Sequence, residues 1–174
     1  MKPTFRILTN ILLWLFASLP LTSCVTEKDE PEWSLQPGDR CPQFTVTLSD
    51  GTTITTSDLA GHTTLLIFFD TTCPDCQALL PQVQQLYADP PATDHPLLFL
   101  AISRAQAAPD VLDYWHAHSL TIPVAPQPDR TVYNLFATTI IPRIYIIAPD
   151  LTITHTLTDN PIPTAATLRP LLNL

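Results

Sequence analysis

The chain is expected to fold as an α/β domain: a central mixed sheet flanked by helices, preceded by a small β-hairpin. Two runs, Leu65-Leu66-Ile67-Phe68-Phe69 and Leu97-Leu98-Phe99-Leu100-Ala101-Ile102, are apolar with no polar alternation. That is the pattern of strands buried on both faces. Between them Leu79, Leu80, Val83, Leu86 and Tyr87 recur at helical spacing. A buried strand, a helix and a second buried strand read as a β-α-β crossover. The C-terminal third offers two further strands around a turn and then a last helix.

Residues 1–23 read as a secretory signal: Lys2 and Arg6, a short apolar core, then a small-residue exit at Leu21-Thr22-Ser23-Cys24. That exit resembles the bacterial lipobox, so Cys24 is expected to become the lipidated N-terminus. More than one acyl chain suffices for stable anchoring. Residues 24–36 are polar and acidic without apolar periodicity, and are expected to form a flexible tether. Residues 37–174 are expected to be the folded domain. The cluster Glu27-Lys28-Asp29-Glu30 resembles a surface-export signal in some outer-membrane bacteria, although a solvated linker has the same composition.

The charge balance limits the partners. The chain of 174 residues carries 8 basic and 16 acidic residues, a net charge of −8 at pH 7. An acidic surface argues against nucleic acid and against electrostatic membrane binding. With 19 Pro and only 3 Gly, turns must be built from Pro, Asp, Asn, Ser and Thr.

Within the domain, Phe44-Thr45-Val46-Thr47-Leu48 alternates as a strand, Ser49-Asp50-Gly51 is a hairpin turn, and residues 52–55 return. Ser57 is placed to cap a short helical turn that Gly61 ends. After the second buried strand, Pro109-Asp110 opens a helix with Val111, Leu112, Trp115 and His118 on its apolar side. His116 and His118 are two residues apart, cannot share a helical face, and are expected at the surface. Residues 121–124 suggest a short strand and Asp129 a capped helix carrying Val132, Tyr133, Leu135 and Phe136. Strands at 143–148 and 151–156 and a helix at 164–172 complete the order.

The chemistry concentrates at Cys73-Pro74-Asp75-Cys76, where the first buried strand hands over to the helix. Pro74 suits the first helical turn. A helix start presents unpaired N–H groups and partial positive charge, which stabilise a thiolate and make it a usable nucleophile. Cys76 lies one turn further on, placed to resolve a mixed disulfide formed on Cys73. A structural zinc site would need about four ligands, and only Cys24 and Cys41 remain. Cys41 is expected to be a buried structural thiol.

The strand, the C-x-x-C at the helix start, Pro81 five residues later and Ile141-Pro142 before another apolar strand resemble the thioredoxin superfamily. The opening Gly38-Asp39-Arg40-Cys41-Pro42-Gln43-Phe44 resembles that of TlpA-type proteins and peroxiredoxins. The chain most resembles the extracytoplasmic TlpA/ResA-like thiol-disulfide oxidoreductases, over residues 36–172. The resemblance implies a thioredoxin-like fold, redox-active Cys73 and Cys76, and a cis Ile141-Pro142 bond whose exposed backbone binds substrate. It implies no cofactor beyond the cysteine pair and no bound metal. Exported proteins would be the substrates, an unidentified donor would supply electrons, and the chain would act as a monomer in the cell envelope. The outer membrane facing the periplasm is the expected place, with the cell surface as the alternative.

Departures from the pattern matter. Thr72 stands where relatives carry Trp, Leu79 where ResA-like members carry Glu, and Ile67 where cytosolic thioredoxins bury an acid. Asp70 and Asp75 are the nearest acids. Asp75 is expected to oppose the Cys73 thiolate by like charge, and Asp70 either to serve the resolving step or to hold the turn. Two other readings share the fold. A thiol peroxidase would require Pro and Thr or Ser where Leu66 and Asp70 stand. A copper-binding metallochaperone would use the paired thiolates with one histidine.

Overall fold

The computed structural model describes residues 32–173. A five-stranded sheet of order β5-β4-β3-β6-β7 forms the centre. Its strands are β3 (Thr63–Phe69), β4 (Leu97–Ser103), β5 (Val124–Ala125), β6 (Arg143–Ile147) and β7 (Ile153–Leu157). β3 runs parallel to β4, and β4 to β5, while β3/β6 and β6/β7 are antiparallel. The helices are α1 (Pro74–Ala88), α2 (Ala108–Ala117) and α3 (Ala165–Leu168). A separate antiparallel pair, β1 (Thr45–Thr47) and β2 (Thr53–Thr55), is the expected hairpin. Gly51 takes φ +87° in its turn, a conformation open to glycine at no steric cost.

Every residue of β3 is buried. Leu65, Ile67 and Phe69 pack with α1, Trp115 of α2 and Leu168 of α3, whereas Leu66 and Phe68 face Phe44, Val46, Tyr133, Phe136 and Tyr145. The strand is apolar throughout because each face meets its own core. A fully buried apolar side chain of this size contributes roughly 1.5–3 kcal/mol, so the run from Leu65 to Phe69 is a major source of the domain's stability.

Several expectations are corrected. Residues 32–36 are not a free tether. Leu35 N–H donates to Phe136 O (2.8 Å), Thr138 N–H to Trp33 O (2.9 Å), and Arg143 bonds Glu32 at 2.9 Å. Backbone pairing needs no apolar side chains, so composition gave no sign of it. Thr55, not Ser57, opens the turn at Thr56–Leu59, with Asp58 Oδ2 accepting from the Thr55 N–H and hydroxyl at 2.8 and 2.6 Å. Leu112 is exposed rather than on the packed face, whereas His116 and His118 are exposed as expected, with His118 stacked on Tyr114 at 3.9 Å. The strand expected at 121–124 is only β5. The helix after Asp129 is a single 3-10 turn, Tyr133–Leu135. β7 starts at Ile153 because Leu151, at φ +71°, still belongs to the turn. The last helix breaks after α3 into the 3-10 turn Arg169–Leu172, since Pro170 cannot continue the α-helical ladder. Cys24, the signal and the first part of the tether lie outside the described residues. Among those described, no helix is long and apolar enough to cross a membrane.

Candidate active site

Cys73 is the N-cap of α1, with extended backbone (φ −79°, ψ 120°), and Pro74 occupies the first turn. The thiol is half-buried, whereas Cys76, one residue into the first turn beyond Asp75, is wholly buried. Both are free thiols, as is Cys41. Burial pushes the Cys76 thiol well above its ordinary range. A backbone hydrogen bond at Asp70 opposes that shift, and the neighbouring Cys73 thiol and the Asp70 charge reinforce it. Cys76 is therefore protonated at neutral pH, and Cys73 is the more accessible of the two sulfurs.

Opposite the helix start, the Ile141-Pro142 bond is cis, as expected. Cys73 Sγ lies 3.8 Å from the Ile141 carbonyl oxygen. The two expected elements of the site, the C-x-x-C and the Ile-Pro backbone, are brought together across 68 residues of sequence. Asp70 serves the turn: its Oδ1 accepts from both the N–H and the hydroxyl of Thr72 at 2.7 Å. Asp75 is half-buried in the first helical turn. Leu79 and Ile67 are fully buried in apolar surroundings, so neither position supplies a carboxylate beneath the pair. Pro81 lies inside α1.

Sequence reasoning missed the residues that fix this geometry. Thr71, between strand and helix, is held on three sides. Its N–H donates to Gln106 Oε1, the Gln106 amide donates to Thr71 Oγ1, and Gln77 Nε2 donates to Thr71 O, each at 2.8 Å. The loop of residues 138–141 that leads to the cis bond is held as tightly. Arg130 donates to Thr138 O, Arg104 to Thr139 O, and Tyr133 Oη to Ile140 O (2.7 Å). A buried glutamine and a tyrosine far away in sequence carry no local signal. Only the excess of arginine near the site in an acidic chain could have drawn notice.

Cys41 is buried and its thiol is pushed up to about 12 by desolvation, partly offset by Arg40. It lies in the core facing the hairpin, in the cluster opposite the one that contains Cys76 and Cys73. This agrees with a structural thiol.

The family model described as the AhpC/TSA family matches residues 37–156, a span that includes both cysteines and Pro142. The chain is 27% identical over 146 residues to "Thiol-disulfide oxidoreductase ResA" of Oceanobacillus iheyensis, covering 82% of this chain and 74% of that protein. It is 25% identical over 167 residues to the protein of the same name from Bacillus subtilis, covering 92% and 90%. The thioredoxin domain of a thiol-disulfide oxidoreductase from Bacteroides vulgatus superposes with TM-score 0.64 at 18% identity, covering 80% of this chain and all of that one. The match over most of the domain, on a thioredoxin-like fold with two thiols at the start of α1, places the chain in the AhpC/TSA family, as a thiol-disulfide oxidoreductase of the ResA-like kind.

Proposed function

We propose that this protein is a lipid-anchored oxidoreductase of the cell envelope that reduces disulfides in exported proteins through Cys73 and Cys76. The observation that carries the reading is the half-buried Cys73 at a helix N-terminus, 3.8 Å from the Ile141 carbonyl, with Cys76 buried one turn behind. The reacting species is the thiolate of the accessible Cys73. That thiolate attacks a substrate disulfide, forms a mixed disulfide and expels one substrate thiolate. Cys76 then loses its proton and attacks Cys73 Sγ. The second substrate thiolate leaves, and the pair ends as a Cys73–Cys76 disulfide with two electrons passed to the substrate. An external dithiol must restore the reduced pair.

The Ile141 and Pro142 backbone borders the reacting sulfur and would take an extended substrate segment by main-chain pairing. Asp75 would tune the pair by its charge, while Asp70, committed to Thr72, would act through the shape of the turn. No cofactor beyond the cysteines is invoked, and the chain would work as a monomer. The lipobox-like Leu21-Thr22-Ser23-Cys24 supports anchoring through Cys24, in the outer membrane facing the periplasm or at the cell surface. Cys24→Ala should release the protein from membranes or block its maturation. Unchanged retention with an unmodified Cys24 by mass spectrometry would contradict the anchor.

Insulin reduction, peroxide consumption and copper titration on one preparation separate the three readings. Peroxidase chemistry is disfavoured by Leu66, buried in β3, and by Asp70, bonded to the turn. Copper binding would have only the two thiols to draw on, since no third His, Cys, Asp or Glu joins them in a ligand-like group among the described residues.

A further inference from the structure

We propose that Arg104 and Arg130 form an anion-recognition subsite at the rim of the active site. It would take a carboxylate side chain of an extended polypeptide substrate. This rests on the thiol–disulfide reading above and names a substrate class for it: acidic segments flanking a reactive cysteine.

The chain is acidic, and the described residues contain five arginines and no lysine. Two of the five are ion-paired, Arg143 with Glu32 and Arg169 with Asp89. Among the described residues, neither Arg104 nor Arg130 is ion-paired with a carboxylate. The nearest sequence neighbour, Asp129, is committed to the Thr131 N–H at 2.8 Å. Two cations over one ring with no paired carboxylate among the described residues, in a chain of net charge −8, are the reverse of what composition favours.

Both are held in place. Their guanidinium carbons lie 5.2 and 5.3 Å from the centroid of the Tyr133 ring. Each donates to a loop carbonyl, Arg104 to Thr139 and Arg130 to Thr138. Tyr133 is itself fixed by its bond to Ile140 O at 2.7 Å and by edge-on packing against Phe68 at 5.4 Å. A guanidinium has five N–H donors, and these backbone bonds leave most of them for a ligand. Arg130 is exposed and Arg104 half-exposed. A fork already fixed against a ring loses little freedom on binding a carboxylate.

The position is the telling part. The carbonyls that these arginines hold belong to the loop whose Ile141 oxygen meets Cys73 Sγ. Thr139 precedes Ile141 by two residues, so an extended substrate lying along the loop would place an acid about two to four residues from its reacting cysteine. Asp75 lies in the first turn of α1, and Asp70 directly follows Phe69, whose carbonyl accepts from the Arg104 N–H at 2.8 Å.

The test uses the reduced full-length chain and peptides whose single cysteine carries a neutral thiopyridyl disulfide, flanked by Glu, Gln or Lys. The wild type should react fastest with the Glu peptide, by about three- to tenfold over Gln in kcat/KM, carried in KM and diminished by salt. In the Arg104→Gln/Arg130→Gln chain the Glu-to-Gln ratio should fall towards one, while the double lysine variant should recover part of it. A wild-type ratio near one, or a ratio that survives both substitutions, overturns the proposal. If the double variant unfolds, Arg130→Gln alone, at an exposed position, should still lower the ratio. Anisotropy with dye-labelled peptides carrying Ser for Cys reads the same preference without any redox step. Equal binding of the Glu and Gln versions there overturns the subsite even if the redox reading fails on its own terms.

Discussion

Thr71 and Gln106, 35 residues apart, bond each other twice at 2.8 Å, once through the Thr71 N–H and once through its hydroxyl. Both are buried. The pair ties the turn that carries Cys73 to the loop ahead of α2, so the position of the Cys73 sulfur is set partly from outside its own strand and helix. Gln106→Leu would leave two buried polar groups of Thr71 unpartnered. It should cost about 1–3 kcal/mol of stability by chemical denaturation, and Gln106→Glu, which keeps one acceptor, should cost less. A Gln106→Leu chain as stable as the wild type would show that water replaces the amide.

Much of this was legible in the residues. The unbroken apolar runs of β3 and β4 required a sheet covered on both sides, and the C-x-x-C after β3 located the thiols. Elements resting on long-range partners were not legible. Glu32 and Trp33 have tether-like composition yet bond to Arg143 and Thr138 through groups that any sequence possesses or that only the fold brings close. The cis Asn160-Pro161 bond carried no pattern comparable to that of Ile141-Pro142. Tyr133 and Phe136 read as one face of a helix, but tertiary contacts with Phe68 and Tyr145 place them from a single 3-10 turn.

The Glu32–Arg143 pair should matter more than a surface ion pair. Arg143 is 3% exposed and Glu32 49%, so removing the acid leaves a buried cation with one partner fewer. Glu32→Gln should destabilise the domain by about 1–2 kcal/mol, short of the cost in a fully buried pair because half of Glu32 is solvated. Urea denaturation at low and high salt measures it. A change below a few tenths of a kcal/mol would mean that the strap contributes no stability through charge.

Cys41 should impose an alkaline limit. Its thiol keeps its proton to about 12 in the fold against 9.0 ordinarily. Between these values the unfolded chain has released a proton that the folded chain retains. Stability therefore falls as pH rises from about 9 towards 12, by up to about 1.4 kcal/mol per pH unit, and is unaffected by this group below about pH 8. In Cys41→Ala the fall should be shallower by that amount, on a lower starting stability from the lost packing. Identical slopes would show that Cys41 titrates alike in both states.

Asp75 should make the pair more reducing. Its negative charge in the first turn disfavours a neighbouring thiolate, so Asp75→Asn should stabilise the reduced form and move the potential to less negative values. After solvent screening the shift should be about 5–30 mV, read by equilibration with glutathione. A more negative potential would show that the Asp75 carboxylate is turned away from Cys73.

The central claim is that Cys73 attacks and Cys76 resolves, and a trapping experiment tests it most directly. Cys76→Ser should accumulate a mixed disulfide with a disulfide-bearing protein substrate, and mass spectrometry should place that linkage on Cys73. Cys73→Ser should trap nothing, because the thiols of Cys76 and Cys41 are buried and hold their protons. Trapping by Cys73→Ser alone, through Cys76, would contradict the account.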